Sequence, residues 1–388
     1  MKQKTVVRRF IASKGHSQIL CLTLNKPKAL NALDLDMVIM LTNYLQQAKN
    51  DDSVSAVFFD GAGERAFCAG GDIVRLYNEL CQESVNKVTD ATNVPASVAD
   101  FFMQEYQLDY LIHTYPKPII VWGNGVVMGG GLGLFRGASI RIATETTRIA
   151  MPEISIGLFP DVGASYFLNE LPAGVGVFLG FTGAEINALD AIALNFATHL
   201  LANSDKAVFL SFLVQANVND RHAFHQSLDA FISKVSNAER TSLFAPAALL
   251  PFLDHVSVLD KAINAEAAAN ELLALGQLNQ SDYINRALKS FQYGSPTTAH
   301  LVFQQLLRAR RDKMSLADCF KMELSMAYSC MAVGEFKEGV RALLVDKDKT
   351  PKWRYQQLAK VPHAFINAHF DYFKNNDLPL NPLDKMSL

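Results

Sequence analysis

Residues 67–72 read Phe-Cys-Ala-Gly-Gly-Asp, and residues 124–131 read Asn-Gly-Val-Val-Met-Gly-Gly-Gly. Each glycine-rich stretch follows a run typical of a β-strand, at residues 54–60 and 118–122, and leads into a run typical of a helix. Glycines at such turns let the backbone approach a ligand and expose bare N–H groups. Two N–H groups that converge from separate turns make an oxyanion hole for a thioester or a similar carbonyl. Each stretch alone is also typical of an ordinary turn from strand to helix.

The composition describes an ordinary globular chain. Its 388 residues predict two domains, or one large domain with an extension, and its 49% of hydrophobic residues can bury a sizeable core. The formal net charge of -2 gives no electrostatic reason to expect a nucleic-acid partner. The five cysteines lack CxxC spacing and the histidines lack metal-ligand spacing. We therefore predict reduced thiols and no metal site.

Two stretches have some features of a membrane span or of a targeting signal. The eighteen residues between Lys117 and Arg136 carry no charge, but six of them are glycine. This composition indicates a buried strand, a turn and a buried helix rather than a membrane span. Near the N-terminus, no apolar segment follows the basic residues, so we expect neither a signal peptide nor a transit peptide. The sequence therefore predicts a cytoplasmic protein with no membrane partner.

Short apolar runs alternate with helical patterns over the first two hundred residues. The predicted strands are residues 5–11, 19–24, 54–60, 118–122 and 139–144, and the predicted helices are residues 35–47, 72–80 and 101–114. Residues 82–99 are polar and predict a surface loop. The alternation favours βαβ units in a layered α/β core. Helical patterns then dominate, at residues 262–275, 298–311 and 316–332, so we predict a core at residues 1–203 and a helical extension at residues 204–388.

Two carboxylates stand in an apolar segment. Residues 151–163 read Met-Pro-Glu-Ile-Ser-Ile-Gly-Leu-Phe-Pro-Asp-Val-Gly, which places Glu153 and Asp161 eight residues apart. Loss of solvation there would raise the pKa of a carboxylate and suit it to act as base or nucleophile. Asp161 is equally typical of an N-cap for the following helix. Glu153 could instead form a surface ion pair, although its apolar neighbours indicate burial.

The beginnings of two helices restrict the chemistry. Asp72 follows the first glycine pair and is typical of an N-cap, which needs no catalytic role. The helix that begins at the second glycine stretch continues Leu-Gly-Leu-Phe and has no acid in its first turn. Addition of water across a double bond usually requires both a base and an acid. That helix supplies neither.

These segments resemble the crotonase (enoyl-CoA hydratase/isomerase) superfamily, and the whole chain is similar to its 3-hydroxyisobutyryl-CoA hydrolase branch. The resemblance rests on residues 24–33, 66–72, 128–133 and 151–163, and in the extension on residues 294–297, 335–342, 346–348 and 351–353. It implies an α/β crotonase (ClpP-like) fold, a spiral of ββα units, followed by a C-terminal helical extension.

The resemblance also implies the binding residues. Gly71 and Gly130 match the backbone N–H donors of the family's oxyanion hole, which binds the thioester oxygen. The segments implied to bind coenzyme A and the substrate contain Lys28, Ala29, Leu30, Ala69, Gly70 and Asp72. The implied partner is an acyl-CoA, and a homo-oligomer is one option for the assembly.

The implied catalytic residues are Glu153 and Asp161. Glu153 matches the glutamate proposed for catalysis in the hydrolases, and Asp161 matches the acid thought to hold the substrate hydroxyl. Gly133 stands where a hydratase has its other glutamate, which argues against hydration. The implied reaction is hydrolysis of a short 3-hydroxyacyl-CoA in valine breakdown, which needs no metal or redox cofactor. Two alternatives stay open: an enoyl-CoA hydratase or isomerase of the same fold, and a non-catalytic CoA-ester-binding or scaffold protein.

Overall fold

The structure is a computed structural model, and the residues that it describes are 4–14, 17–86, 94–218, 220–236, 238–278, 281–333, 335–376 and 381–385. The strands, in chain order, are β1 (Val6–Ala12), β2 (Gln18–Leu24), β3 (Val54–Gly61), β4 (Ala66–Cys68), β5 (Ile119–Gly123), β6 (Val126–Met128), β7 (Ile140–Ala143), β8 (Arg148–Ala150), β9 (Ile186–Asn187) and β10 (His199–Leu200).

The larger sheet has six strands in the order β1-β2-β3-β5-β7-β10. β1 and β2 pair antiparallel, and the strands from β2 to β10 pair parallel. All eight residues of β3 are buried. Parallel strands of this kind have both faces covered by other elements, which explains why the predicted strands at residues 19–24, 54–60 and 118–122 are mostly apolar.

The smaller sheet, in the order β4-β6-β8-β9, positions the two glycine stretches. β4 and β6 pair parallel, so their carboxyl ends lie at the same edge. Residues 69–71 follow the end of β4, and residues 129–131 follow the end of β6. The sheet therefore brings the beginnings of both turns to one side.

The helices, in chain order, are α1 (Leu35–Lys49), α2 (Ile73–Asn86), α3 (Ala96–His113), α4 (Gly130–Gly137), α5 (Ala164–Phe167), α6 (Val175–Thr182), α7 (Ala188–Ala193), α8 (Lys206–Gln215), α9 (Arg221–Val235), α10 (Ala238–Thr241), α11 (Leu253–Val256), α12 (Ala265–Leu278), α13 (Asp282–Tyr293), α14 (Pro296–Arg311), α15 (Leu316–Val333), α16 (Glu335–Val340), α17 (His363–Phe370) and α18 (Tyr372–Asn375). After β10 the described residues form helices, turns and loops, as predicted for the extension.

The chain forms two compact units that each draw on three stretches of sequence. The first contains Met1–Gly71, Leu111–Ile149 and Ile186–Ala248, and the second contains Asp72–Tyr110, Ala150–Glu185 and Leu249–Leu388. This division differs from the predicted boundary after residue 203. Its physical reason is that α8 and α9 belong to the first unit: Phe209 and Leu228 are buried in the same apolar cluster as Phe58 and Trp122 of the sheet.

Most of the predicted elements agree with the observed ones within a few residues, but the loop at residues 82–99 was wrong in part. α2 continues to Asn86 and α3 already begins at Ala96, while residues 87–93 lie outside the described residues. The uncharged stretch before Arg136 forms β5, β6 and α4, as its glycines indicated. Among the described residues, no helix is both long enough and apolar enough to cross a membrane. All five cysteines are free thiols.

Candidate functional site

The first glycine turn needs glycine for its shape. Gly70 has a φ of +96°, a conformation that residues with a Cβ rarely adopt. Its carbonyl oxygen accepts a hydrogen bond from the Leu33 N–H at 2.8 Å, and Gly71 forms a parallel bridge with Leu33. These contacts fix the turn against the chain segment that precedes α1.

The two glycine turns lie in direct contact within the first unit. A Cβ on Gly70 would stand 3.0 Å from the carbonyl oxygen of Met128 and 3.2 Å from the backbone nitrogen of Gly130. A Cβ on Gly131 would collide with the carbonyl oxygen of Cys68. Only glycine lets the two backbones approach so closely. The structure thus brings together the two stretches that the sequence predicted to converge, while the oxyanion-hole role of their N–H groups stays a prediction.

The segment predicted to bind coenzyme A lies beside the first glycine turn. Lys28 and Ala29 are exposed on the 3-10 helix Pro27–Ala29, and Leu30 ends it with a φ of +51°. The Leu30 carbonyl oxygen accepts a hydrogen bond from the Ala69 N–H at 3.0 Å. The structure therefore joins the two predicted CoA-binding segments of the first unit.

Asp72 stands at the N-cap position of α2. Its carbonyl oxygen accepts a hydrogen bond from Leu76 N–H at 3.1 Å, and its Oδ1 lies 3.4 Å from the Arg75 nitrogen. This geometry is that of the helix cap that the sequence analysis kept as an alternative. A contact with coenzyme A stays a prediction for this residue.

Glu153 begins the 3-10 helix Glu153–Ile156 in the second unit and is buried, with 5% of its surface exposed. Its Oε2 atom has no hydrogen-bond partner among the described residues. Burial raises the pKa of Glu153 well above its usual range, and the charges of Asp161 and Glu105 add to the increase. The burial excludes the alternative of a surface ion pair.

The extension packs directly against the turn that carries Glu153. A Cβ on Gly339 of α16 would stand 2.6 Å from the Cα atom and the carbonyl oxygen of Ile156. A Cβ on Gly157 would stand 2.7 Å from the Glu335 carbonyl oxygen. The Ser295 N–H donates a hydrogen bond to Ile154 O at 3.0 Å. Three separate contacts from residues 295–339 therefore hold the backbone that follows the glutamate.

Asp161 directs its side chain to a tyrosine and not to the following helix. Its Oδ2 accepts a hydrogen bond from the Tyr106 hydroxyl at 2.8 Å. Gly163 occupies the N-cap position of α5, so the alternative that the Asp161 side chain is a helix cap does not hold. Burial raises the pKa of Asp161 to about 6, and the hydrogen bond from Tyr106 opposes that rise. Asp161 therefore binds its proton more tightly than an exposed aspartate does.

Glu323 of α15 accepts hydrogen bonds from the backbone at the beginning of α5, as a helix cap would. Its two carboxyl oxygens accept hydrogen bonds from Gly163 N–H at 2.7 Å and Ser165 N–H at 2.8 Å. Burial raises the pKa of Glu323 to about 8. The turn that carries Asp161 is thus tied to the extension through its backbone.

Sequence reasoning missed Glu323 and three residues of α3: Glu105, Tyr106 and Asp109. Both oxygens of Asp109 and Oε1 of Glu105 have no hydrogen-bond partner among the described residues. Burial, followed by repulsion from neighbouring acids, raises the pKa of each carboxyl well above its usual range. The sequence did contain a signal: Glu105 and Asp109 are four residues apart, so they lie on the same face of the helix, and aromatic residues surround them in the sequence. The sequence analysis predicts a helix at residues 101–114 and assigns no role to its acids.

The second unit thus gathers five acids in one buried region: Glu105, Asp109, Glu153, Asp161 and Glu323. Burial raises the pKa of all five carboxyls, and repulsion from neighbouring acids adds to the rise for all of them except Asp161. These groups therefore hold protons at pH values where exposed acids are ionised. A carboxylate that does ionise there is poorly solvated and therefore reactive as a base or nucleophile. The region is suited to chemistry at a carbonyl group.

Comparison with known proteins gives consistent matches over nearly the whole chain. The family model described as "Enoyl-CoA hydratase/isomerase" matches residues 19–370. A Danio rerio protein named "3-hydroxyisobutyryl-CoA hydrolase, mitochondrial" is 35% identical over 380 residues, covering 95% of this chain and 94% of the relative.

Two solved structures have the same fold. An enoyl-CoA hydratase from Rhodobacter sphaeroides superposes with a TM-score of 0.77 at 29% identity, covering 98% of this chain and 99% of that chain. A carnitinyl-CoA dehydratase from Mycobacterium thermoresistibile superposes with a TM-score of 0.79 at 29% identity, covering 98% of each chain. The resemblance and the fold class inferred from the sequence are confirmed.

Proposed function

This chain belongs to the enoyl-CoA hydratase/isomerase family, and we propose that it is a thioesterase that hydrolyses 3-hydroxyisobutyryl-CoA or a similar short 3-hydroxyacyl-CoA. The observation that carries the proposal is the buried Glu153 carboxyl, whose Oε2 has no hydrogen-bond partner among the described residues. Such a group, once ionised, is suited to attack a carbonyl or to take a proton from water. The name of the Danio rerio relative supports the substrate class.

The reaction breaks the bond between the acyl carbon and sulfur and adds water across it. We propose that the Gly71 and Gly130 N–H groups donate hydrogen bonds to the thioester oxygen as it becomes negative. Removing one such donor typically costs ~2.7–4 kcal/mol of barrier. The contact between the two glycine turns supports this assignment.

Two routes use Glu153 differently. In the first, a Glu153 oxygen attacks the acyl carbon, the CoA thiolate leaves and takes a proton, and water hydrolyses the resulting anhydride. In the second, Glu153 takes a proton from water while that water attacks the carbon. After a single turnover in ¹⁸O-labelled water, label in the Glu153 carboxyl group identifies the first route with attack of water on the Glu153 carbonyl carbon of the anhydride, because the second route places label in the product alone.

Asp161 supplies the recognition of the hydroxyl group in this proposal. Its carboxylate accepts a hydrogen bond from the substrate's 3-hydroxyl. A plain acyl chain would leave that buried carboxylate without this partner, and such unpaired groups discriminate strongly between substrates.

The decisive experiment replaces Glu153 by glutamine. Glu153→Gln keeps the shape of the side chain but cannot ionise, so we expect thiol release to fall by about 10³-fold while calorimetry shows CoA-ester binding little changed. Glu271→Gln, at an exposed position of α12, is the matched control. Near-normal thiol release from Glu153→Gln would remove this residue from the mechanism.

A second candidate is an enoyl-CoA hydratase or isomerase, which the names of the two solved structures favour. The first turn of α4 opposes hydration, since it contains no acid and Gly133 stands where a hydratase has a glutamate. A non-catalytic CoA-ester-binding protein would bind these esters and turn none over.

We further propose valine breakdown as the setting of the reaction, without a metal or redox cofactor. A cytoplasmic location stays a prediction of the sequence, whereas the name of the Danio rerio relative assigns that protein to mitochondria. A homo-oligomer also stays a prediction, which sedimentation velocity tests directly.

A further inference from the structure

We infer that Tyr106 is a positioning residue that orients Asp161 and thereby sets the preference for hydroxylated acyl chains, an inference that rests on the proposed function. The Tyr106 hydroxyl lies 2.8 Å from Asp161 Oδ2. This contact fixes one carboxyl oxygen, and in the proposed role the Asp161 carboxylate also accepts a hydrogen bond from the substrate hydroxyl. No sequence motif had drawn attention to Tyr106.

The Tyr106 ring is held rigidly enough to act in this way. Its side chain is completely buried, with its ring centroid 6.1 Å from that of Phe102 and 5.8 Å from that of Phe320. The Phe102 ring meets it edge to face, an arrangement that favours one orientation. Burial raises the pKa of Tyr106 well above its usual range, so its hydroxyl remains a hydrogen-bond donor at working pH.

Asp161 is held from its other end as well. Val162 has a φ of +54° and Gly163 a φ of +89°, which make this a sharp turn that needs support. Glu323 accepts hydrogen bonds from the backbone just beyond it, at Gly163 and Ser165. The backbone beyond Asp161 is thus tied to α15 and its carboxyl to α3, so contacts outside its own segment help to position the carboxyl group.

Tyr106 also keeps Asp161 ionised in acidic surroundings. The titratable groups whose charges interact with that of Asp161 are Glu105 and Asp109 on α3, Glu153 on the 3-10 helix, and Glu323 and Cys330 on α15. All of them favour the protonated form of Asp161 or leave it unchanged. The hydrogen bond that the Tyr106 hydroxyl donates opposes this rise in pKa, because it stabilises the ionised carboxylate more than the protonated carboxyl.

The test compares two esters that differ by one hydroxyl, 3-hydroxyisobutyryl-CoA and isobutyryl-CoA. Both esters require ionised Glu153, so the ionisation of Glu153 affects both kcat/KM values equally and drops out of their ratio. The ratio then follows the ionisation of Asp161. In the wild type we expect this ratio to rise with pH through about 6. In Tyr106→Phe we expect the midpoint to move up by about one pH unit, so that the ratio at pH 6 falls roughly fivefold.

Tyr110→Phe is the matched control. It removes the same atom one turn further along α3, from a ring that also packs against Phe320, and should leave the midpoint in place. A midpoint that stays in place in a folded Tyr106→Phe protein would overturn the inference. So would equal shifts in both variants, since these would indicate a general effect on α3.

A direct titration separates failure of this inference from failure of the proposed function. The ¹³C signal of the Asp161 carboxyl, assigned with Asp161→Asn, reports its pKa without any turnover. If the wild type releases thiol from neither ester, the proposed function is contradicted, and an unshifted carboxyl signal in Tyr106→Phe would contradict the inference separately.

Should Tyr106→Phe fail to fold, 3-fluorotyrosine at position 106 keeps the hydroxyl and makes it a stronger hydrogen-bond donor. The carboxyl midpoint should then move down, and an unchanged midpoint would overturn the inference.

Discussion

The contact between α16 and the glutamate turn predicts that Gly339→Ala disables the enzyme from a position outside the reacting groups. The added Cβ would stand 2.6 Å from the Cα atom and carbonyl oxygen of Ile156. Ordinary carbon contacts begin near 3.5 Å, so one backbone must move by about 1 Å. A shift of the Ile156 backbone would carry Glu153 with it, because both residues belong to the same 3-10 helix.

The expected effects are large on activity and moderate on stability. Overpacking of this kind costs roughly 1–3 kcal/mol of the free energy of unfolding. A displacement of about 1 Å at a reacting group costs roughly 10²-fold in rate. We therefore expect kcat for thiol release to fall about 10²-fold in Gly339→Ala, with a lower Tm but a cooperative unfolding transition.

Gly276→Ala is the control, since its added Cβ would meet only the end of the Leu288 side chain, which can rotate away. Thiol release and thermal unfolding are measured for both variants and the wild type. Equal kcat values for Gly339→Ala and Gly276→Ala would refute the argument that α16 braces Glu153.

Three further predictions concern the other contacts. Gly131→Ala should separate the two glycine turns and lower kcat about 10²–10³-fold, the range for loss of an oxyanion donor; unchanged kcat would contradict it. Glu323 holds a proton in the folded state between pH 4.5 and 8, which the unfolded state has released. Urea unfolding gives the difference in free energy of unfolding between the wild type and Glu323→Gln. We expect the advantage of the wild type to shrink as the pH rises through that window, by up to about 1.4 kcal/mol per pH unit. A constant advantage would contradict the assigned pKa. Asp161→Asn should reduce thiol release more for 3-hydroxyisobutyryl-CoA than for isobutyryl-CoA, and equal losses would leave it without a role in recognition.

Local patterns predicted most of the fold. Buried parallel strands are recognisable because both faces are covered, and the eight buried residues of β3 are mostly apolar. The division into units was beyond such reasoning. α8 and α9 return to the sheet through contacts such as Phe209 with Trp122, whose ring centroids lie 5.7 Å apart, and no local period reports such a contact.

The candidate site was predicted where its residues are close in sequence. Glu153 and Asp161 stand in one apolar segment, and glycines mark both turns. Tyr106 and Glu323 are 55 and 162 residues away from Asp161 in sequence, respectively, and reach the Asp161 turn only through the packing of α3 and α15. The sequence of α3 alone also does not show that Glu105 and Asp109 are buried, because their burial depends on the elements that pack against that helix.

The central claim is that this chain hydrolyses a thioester, and one paired assay tests it most directly. Free-thiol release from 3-hydroxyisobutyryl-CoA is followed beside the loss of enoyl absorbance from crotonyl-CoA. We predict rapid thiol release and no loss of enoyl absorbance. Loss of enoyl absorbance without thiol release would contradict the claim and establish a hydratase instead.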